Sequence, residues 1–300
     1  MPTLDLSITI CSWNTREDLR ACLASLERVR DEAQFGVIVV DNASADGSAD
    51  MTAQEFPWVR LIRSETNLGF TKGHNLAMKE ANGRILMPLN SDTIVHDGAL
   101  AKIVAFMGEH VDVGVLGPKL LNPDGSLQFS CRRFPTPMAA LFRNTPLGKL
   151  FPNNRYAREY LMQEWPHDEP REVDWVSGAA MCIRREAYEQ LGGFDETFFM
   201  FLEDVDVCYR AWQLGYKVMY FPDAVITHAI GKSTDKAANR MIRQFHKSMY
   251  LFYRKHYLHK VNPILRPFAI IASRVFLWMR QSMYITKNNF DALRRKLGWA

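Results

Sequence analysis

Gly36-Val37-Ile38-Val39-Val40-Asp41-Asn42-Ala43-Ser44-Ala45-Asp46-Gly47-Ser48 passes in one step from a wholly apolar run to a polar cluster. Four β-branched residues in succession leave no polar face. The strand they form is therefore covered on both sides, as parallel strands are when helices pack above and below. The cluster behind it holds turn residues and caps for a helix. Working outward, the same unit recurs. Leu6 to Ile10 is a β-rich run, and Thr15 to Val29 carries Leu19, Cys22, Leu23 and Leu26 at helical spacing behind Asn14 or Thr15 as a cap. Val59 to Arg63 reads as a third strand, Lys72 to Ala81 as a helix, Arg84 to Leu89 as a fourth strand and Gly98 to Met107 as another helix. This alternation predicts an α/β fold with a mostly parallel central sheet and helices on both faces. Ligands of such sheets sit at the carboxyl ends of the strands, where the polar clusters after the first, second and fourth strands fall.

Beyond Val113 the pattern loosens. Pro118, Pro123, Asp124-Gly125, Pro135, Pro137, Pro146 and Pro152 predict a loop-rich segment that covers the site. A strand pattern returns from Val173 to Ile183 around Ser177-Gly178, and Leu202 to Leu214 predicts a helix whose buried face is Val205, Cys208, Tyr209 and Trp212.

Three hundred residues at 47% hydrophobic suit one core with an appendage. The net charge of +4 hides an asymmetry. Lys232 to Ala300 holds 15 Lys/Arg against Asp235 and Asp291, whereas the rest of the chain has 22 basic and 31 acidic residues. The expected boundaries are therefore 1–232 for the main domain and 233–300 for a basic, amphipathic helical tail. A basic tail with aromatic residues favours an anionic surface, lipid headgroups or nucleic acid. In Leu251 to Tyr284, Arg266, Arg274 and Arg280 interrupt every apolar run before the ~20 residues that a bilayer span needs. At about 100° per residue these arginines share one side of a helix and Phe268, Ile271, Val275 and Met279 the other, the pattern of a helix lying in a membrane interface. The same pattern suits packing on the main domain or across a homodimer. The expectation taken forward is peripheral membrane contact and no nucleic-acid partner. Cys11, Cys22, Cys131, Cys182 and Cys208 lack metal-ligand spacing and sit mostly among apolar residues, which predicts reduced core thiols and a cytoplasmic setting. The start, MPTLDLSITICSW, has no basic n-region and argues against a secretory signal.

Asp41 leaves its strand where a carboxylate can accept the N3–H of uracil or thymine, and can equally cap the next helix. Asn67-Leu68-Gly69-Phe70 with Gly73-His74-Asn75 puts two glycines and two amides where a loop becomes a helix. That setting suits close approach to a nucleoside or diphosphate, or a plain turn. RILMPLNSDTIVHD, from Arg84 to Asp97, stops at Asn90-Ser91-Asp92. Asp92 can offer oxygen to Mg2+ or Mn2+ whose shell phosphates and waters complete, although such a tripeptide can simply turn the chain. His228, in PDAVITHAIGKST, is either a further ligand that favours manganese somewhat or a structural residue. Glu203-Asp204-Val205-Asp206 opens a helix, where the macrodipole stabilises carboxylates and lowers their pKa, while the apolar FDETFFMFLED around it pulls the pKa up toward that of a usable base; the sequence does not fix which of the two wins. Together the two acidic clusters suggest a metal-dependent sugar transferase.

The motifs come in a fixed order: Ser12-Trp13-Asn14, Val39-Val40-Asp41-Asn42-Ala43-Ser44, Asn67-Leu68-Gly69-Phe70, Asn90-Ser91-Asp92, Val176-Ser177-Gly178, Gly192-Gly193-Phe194-Asp195-Glu196, Phe201-Leu202-Glu203-Asp204-Val205-Asp206 and His228. In this order the chain resembles the inverting family 2 glycosyltransferases, and within them the bacterial rhamnosyltransferase-like branch, over about Leu6 to Ser233. The resemblance implies a GT-A fold, Rossmann-like, with 1–232 as the catalytic domain followed by a C-terminal helical tail. It implies that Ser12, Asn14 and Asp41 bind the nucleoside, with Asn42, Asn67, Gly69, Phe70, Gly73, Asn75, Asn90 and Ser91 completing the nucleotide site. Asp92 and His228 would hold Mg2+ or Mn2+ on the diphosphate. Asp204 would deprotonate the acceptor hydroxyl and Glu203 would position acceptor or sugar, with Trp175, Ser177, Gly178, Asp195 and Asp206 on the acceptor or sugar side. Asn90 stands where the family has its first acidic metal-motif position, leaving Asp92 as the main carboxylate ligand. The donor implied is a nucleotide sugar, dTDP-rhamnose first and a UDP-sugar next. The acceptor implied is a glycan or lipid-linked glycan of cell-surface polysaccharide synthesis, met at the inner face of the cytoplasmic membrane.

Competing readings fare worse. No G-x-G-x-x-G follows the first strand, which removes the dehydrogenase, and the basic phosphate-cradling loop of a nucleotidyltransferase is missing near the N-terminus. A catalytically inactive sugar-nucleotide-binding assembly factor has no need of both Asp92 and Asp204.

Overall fold

The computed structural model describes residues 4–143, 145–229 and 238–296. Strands β1 (Leu4–Ser12), β2 (Phe35–Asp41), β3 (Arg60–Arg63) and β4 (Gly83–Asn90) run parallel in the order 3-2-1-4. Helices α1 (Arg16–Arg28), α2 (Ser48–Glu55) and α3 (Gly69–Met78) connect them in turn. The chain continues through β5 (Thr93–Val95), α4 (Ala99–Glu109), β6 (Val113–Leu121), β7 (Leu127–Gln128), β8 (Cys131–Arg132), α5 (Pro137–Phe142), α6 (Pro146–Leu150) and α7 (Arg155–Leu161). Then come β9 (Arg171–Glu172), β10 (Trp175–Val176), β11 (Cys182–Arg184), α8 (Arg185–Leu191), α9 (Glu203–Gln213) and β12 (Lys217–His228). From β4 the sheet extends through β11, β6 and β12 to β5. β11 is antiparallel to both neighbours, β6 and β12 are parallel, and β5 is antiparallel to β12.

Burial explains the parallel half. Leu6, Ile8 and Ile10 of β1 are fully buried on one face, and Ser7 and Thr9 are as buried on the other. The polar pair is satisfied from within. Ser7 Oγ accepts the N–H groups of Asn82 and Gly83, which fixes the start of β4, and Thr9 Oγ1 meets His74 Nδ1 of α3 at 2.8 Å. Burial pulls His74 down to about 3, so it is neutral at physiological pH. Helix α1 buries Leu19, Cys22, Leu23 and Leu26, the face its spacing predicts. Thr15 is its N-cap residue, but neither Thr15 nor Asn14 caps it through a side chain. Four cysteines are buried and Cys11 is half-buried; all five are free thiols, and burial pushes their pKa values up.

Two expectations need correction. The segment after Val113 is not all loop, because β6 runs nine residues through Pro118. Pro118 pairs with Phe221 at a register shift of β12, after which Lys119 pairs with Val225. A bulge is where a strand tolerates a missing N–H, and Pro222 lies in the same bulge. On α9, Val205, Cys208 and Tyr209 are buried as expected, but Trp212 is 56% exposed. It lies in the last turn, with its ring edge against Phe134 and Tyr209.

The residues cluster into two compact units, Met1–Asp195 with Glu203–Lys232, and Glu196–Leu202 with Ser233–Ala300. The expected boundary at 232/233 lies outside the described residues. Within the second unit, α10 (Ala238–His256) and α11 (Arg266–Lys296) form an antiparallel hairpin through two short 3-10 turns. Its pairings run from Asn239 with Asn289 to Tyr250 with Arg274. Among the described residues no helix is long and apolar enough to cross a membrane.

Candidate active site

Parallel register sets Ser12 beside Asp41 and Cys11 beside Asn90, so the ends of β2, β1 and β4 make one carboxyl edge. Asn14 joins the first two loops. Its N–H donates to Ser44 Oγ at 3.0 Å, and its Oδ1 accepts the Ala45 N–H at 2.8 Å. Asp41 is buried. Its Oδ2 accepts the Ser44 N–H at 3.0 Å, whereas its Oδ1 has no hydrogen-bond partner among the described residues. A bare buried carboxylate oxygen is costly, and a ligand N–H donor would satisfy it. Next to it Ala43 holds φ +59°, a left-handed conformation that costs roughly 1–3 kcal/mol outside glycine.

Several residues expected at the nucleotide make hydrogen bonds within the protein. Ser12 is fully buried, and its hydroxyl meets Thr15 Oγ1 at 3.0 Å, which in turn meets Ser91 Oγ at 2.9 Å, tying the ends of β1 and β4 together. Asn42 donates from Nδ2 to the Gly69 carbonyl oxygen at 3.2 Å and accepts the Leu68 N–H at 3.4 Å. Asn75 Oδ1 accepts from the Phe194 N–H at 3.0 Å and from the Tyr188 hydroxyl at 2.7 Å, while its Nδ2 donates to the Phe194 carbonyl oxygen at 2.9 Å. A Cβ on Gly73 would lie 2.6 Å from Cys11 Sγ, so this glycine lets α3 settle on β1. The physical reason is shared: a short polar side chain after a strand satisfies the backbone of its neighbouring loop. Asn67 likewise accepts the Gly69 N–H at 2.9 Å. Phe70 is buried against the rings of His74 and Phe194.

Asn90, Asp92 and His228 meet at the ends of β4 and β12. His228 Nε2 is 3.4 Å from Asp92 Oδ1 and 3.2 Å from Asn90 Nδ2. Its Nδ1–H donates to Gln128 Oε1 at 2.8 Å, and Gln128 Nε2 donates back to the His228 carbonyl oxygen at 3.1 Å. This clamp assigns the tautomer, turning the Nε2 lone pair toward Asp92. A carboxylate, an imidazole and the amide oxygen available by turning Asn90 fit a six-coordinate divalent cation. Among the described residues no group of three His, Cys, Asp or Glu is placed to hold a metal, so a cation here depends on diphosphate and water to complete its shell. Gln128 was not legible in sequence: a lone glutamine in a proline-rich stretch carries no signal.

The second acidic cluster is joined to the first through Gly178 and Ala179. The Asn90 N–H donates to the Ala179 carbonyl oxygen at 2.9 Å, and the Gly178 N–H donates to Asp204 Oδ2 at 3.1 Å. Asp204 Oδ1 accepts the Val205 N–H at 2.8 Å in the first turn of α9. Burial raises the Asp204 pKa, opposed by these two donors and by the Arg132 guanidinium. Glu203 is 6% exposed, and burial followed by the charge of Asp204 pushes it well above the usual carboxylate range. Its Oε2 has no hydrogen-bond partner among the described residues. Burial thus raises both carboxyl groups, and Glu203 carries the added charge of Asp204 beside it. Directly before them in sequence, Phe201 and Leu202 hold φ of +68° and +62°, a strain that no residue pattern reveals.

Two residues expected on the acceptor side do other work. Asp206 is fully buried, and its Oδ2 accepts Arg210 Nε–H at 2.7 Å, while Arg210 also donates to the Leu191 and Gly193 carbonyl oxygens. The buried Trp175 donates Nε1–H to the Arg133 carbonyl oxygen at 2.9 Å and offers its ring to Arg132, whose guanidinium carbon is 5.1 Å from the centroid. Arg132 is the residue the sequence reading missed, although Cys131-Arg132-Arg133 displays it. Ser177 is half-buried, its Oγ accepting the Ala179 N–H at 3.3 Å, and Asp195 is half-buried at the end of the Gly192–Phe194 turn.

The profile of "Glycosyltransferase like family 2" matches residues 2–246. An N-acetylglucosaminyl-diphospho-decaprenol L-rhamnosyltransferase of Mycobacterium tuberculosis is 30% identical over 258 residues, covering 82% of this chain and 83% of the relative. Among solved structures, the mannosyltransferase PcManGT from Pyrobaculum calidifontis in complex with GDP-Man and Mn2+ superposes with TM-score 0.57 at 18% identity, covering 93% of this chain and 72% of that one. TarS from S. aureus in complex with UDP-GlcNAc gives 0.55 at 22% identity, covering 82% and 65%. Matched over most of its length, and folded with the GT-A-like architecture of these structures, the chain belongs to glycosyltransferase family 2.

Proposed function

We propose that this glycosyltransferase is metal-dependent and inverting, and that it moves rhamnose from dTDP-rhamnose to a hydroxyl of a lipid-linked glycan in cell-surface polysaccharide synthesis, at the inner face of the cytoplasmic membrane. One observation carries the chemistry: the Gly178 N–H holds the buried Asp204, and the carbonyl of the next residue, Ala179, holds the N–H of Asn90, whose side chain meets His228 beside Asp92. The rhamnosyl and lipid-diphosphate parts rest on similarity to the mycobacterial relative.

Asp41 Oδ1 would accept the N3–H of the base, with the Asn14 bridge holding the loop around it. Asp92, His228 and Asn90 would hold Mg2+ or Mn2+, which when bound neutralises charge on the departing diphosphate. Asp204 would accept the proton of the acceptor hydroxyl while that oxygen bonds to the anomeric carbon. The bond from that carbon to the diphosphate breaks with its electron pair leaving on the phosphate oxygen, so the anomeric configuration inverts. Glu203, its pKa raised by burial, would orient acceptor or sugar. A UDP-sugar is the second reading, because Asp41 accepts equally from uracil and thymine.

Thermal unfolding with nucleoside diphosphates and nucleotide sugars, with and without Mn2+, tests the reading. A ligand at a hundred times its Kd adds about 2.7 kcal/mol. The expected result is a Mn2+-dependent rise with dTDP or UDP compounds that Asp92→Ala abolishes; no rise with any donor would sink the proposal. Gln128→Leu frees the His228 ring, and its Mn2+ affinity in the presence of nucleoside diphosphate is expected to fall about 10–100-fold by calorimetric titration. Unchanged affinity would remove Gln128 from the site.

A further inference from the structure

On the arginine side of the α10–α11 hairpin, Arg280 is buried and Arg274 is exposed. Arg274 Nε–H donates to the Tyr250 hydroxyl at 3.0 Å, and Arg280 is 7% exposed with its guanidinium carbon 5.7 Å from the Tyr284 ring centroid. The opposite, apolar side of α11 faces outward. Phe268, Ile271, Val275, Trp278 and Met279 are each at least half exposed. An apolar row of this length on a helix surface marks an interaction site.

Beside that row, between the two helices, lies a cleft of about 190 Å³. Lys247, Tyr250, Arg274, Trp278 and Gln281 line it together with His246. Leu277 completes the lining, none of these residues is acidic, and Lys247 and Arg274 supply its positive charge. Lys247 and Arg274 make no ion pair with the described carboxylates, and Asp291 is the sole acid between Ala238 and Lys296, against thirteen Lys/Arg. His246 is 5% exposed and commits Nδ1–H to the Ile242 carbonyl oxygen, leaving Nε2 without a hydrogen-bond partner among the described residues. Trp278 stands at the border, exposed with the apolar row yet lining the cleft. This is the place of an interfacial tryptophan, whose ring sits at headgroup level.

We propose that the hairpin is a membrane foot: the apolar row of α11 lies in the acyl boundary of a bilayer, and the cleft beside it takes the phosphate of an anionic phospholipid headgroup. Charge selects this occupant over a second copy of the chain. A copy laid on the apolar row would bring together two hairpins that each hold thirteen Lys/Arg against one acid, whereas an anionic bilayer offers both complementary charge and apolar depth. The inference deepens the lipid-linked reading of the acceptor by naming the surface where the enzyme would meet it.

Co-sedimentation of the full-length protein with phospholipid vesicles tests it. Binding is expected to vesicles of mixed phosphatidylcholine and phosphatidylglycerol and not to phosphatidylcholine alone. Lys247→Gln and Arg274→Gln are each expected to weaken it by about fivefold, and Ile271→Asp with Val275→Asp to abolish it. Inorganic phosphate is expected to release the protein where chloride of equal ionic strength does not, and equal release by both would overturn the cleft as a phosphate site. Equal binding to neutral vesicles, no binding to either, or variants that sediment like wild type would overturn the foot. A concentration-dependent dimer by light scattering, lost in Ile271→Asp, would give the face to a second copy instead. All four substitutions lie outside the donor site, so the nucleotide-induced rise in unfolding temperature should persist in them. Its absence in the wild type would defeat the donor reading without touching the vesicle result.

Discussion

Asp204→Asn is expected to slow sugar transfer by roughly 10²–10⁴-fold, the range for loss of a general base, while donor binding stays intact. Asparagine keeps the shape but cannot take the proton. Its amide must also turn one N–H toward the Gly178 or Val205 donor, so unfolding temperature should be followed alongside turnover. The pH profile gives a second check. Transfer needs the ionised form, so it is present above the folded-state pKa of Asp204 and falls as pH drops through it. Burial places that value above the usual 3.8, so the acid limb of kcat/KM should lie higher than an exposed aspartate would put it. Stability runs the other way: a carboxylate raised on folding favours the folded state fully at pH below its unfolded value, and that contribution is lost as pH rises through the folded one. If Glu203→Gln rather than Asp204→Asn abolished transfer, the roles of the two residues would be exchanged.

Asp206→Asn should damage the fold instead of the chemistry. Removing one partner of a buried ion pair costs about 3–5 kcal/mol, and the lower end applies because Arg210 keeps two carbonyl acceptors. A loss of about 3 kcal/mol lowers the unfolding temperature of a domain this size by roughly 6–12 °C. The folded fraction should keep its specific activity. An Asp206→Asn enzyme of normal stability and no activity would return Asp206 to the acceptor side.

The alternating half of the chain was legible because its signals are local. A wholly apolar Gly36–Val40 run has one structural solution, and Leu19, Cys22, Leu23 and Leu26 can share a face only on a helix. The places of Asp41 at the end of β2, Asp204 in the first turn of α9 and His228 at the end of β12 were legible from the patterns around them. What stayed hidden depends on distant partners. Asn42 and Asn75 hydrogen-bond to segments 27 and 119 residues away, and Ser12 is linked to Ser91 through Thr15. Pro118 and Pro222 each argue locally against a strand, and only their shared bulge reconciles them with β6 and β12. Gln128 and Arg132 act through the residues they hold or face, His228 and Asp204, and so left no pattern of their own.

The second compact unit is built from two separate stretches of chain, and this sets what can be cut or exchanged. Glu196–Leu202 belongs with the C-terminal helices: Ser248 Oγ donates to the Met200 carbonyl oxygen at 2.8 Å, Phe201 packs edge-on against Phe245, and the Lys255 ammonium lies 5.9 Å from the Phe198 ring centroid. The chain therefore threads through the tail's own core immediately before it delivers Glu203 and Asp204. A truncation after residue 232 would strip these partners from the segment that leads into Glu203 and Asp204. For the same reason a tail from a relative would arrive without its matching insert unless residues 196–202 travelled with it. The heritable module is a pair of pieces, and recombination at a single crossover would break it.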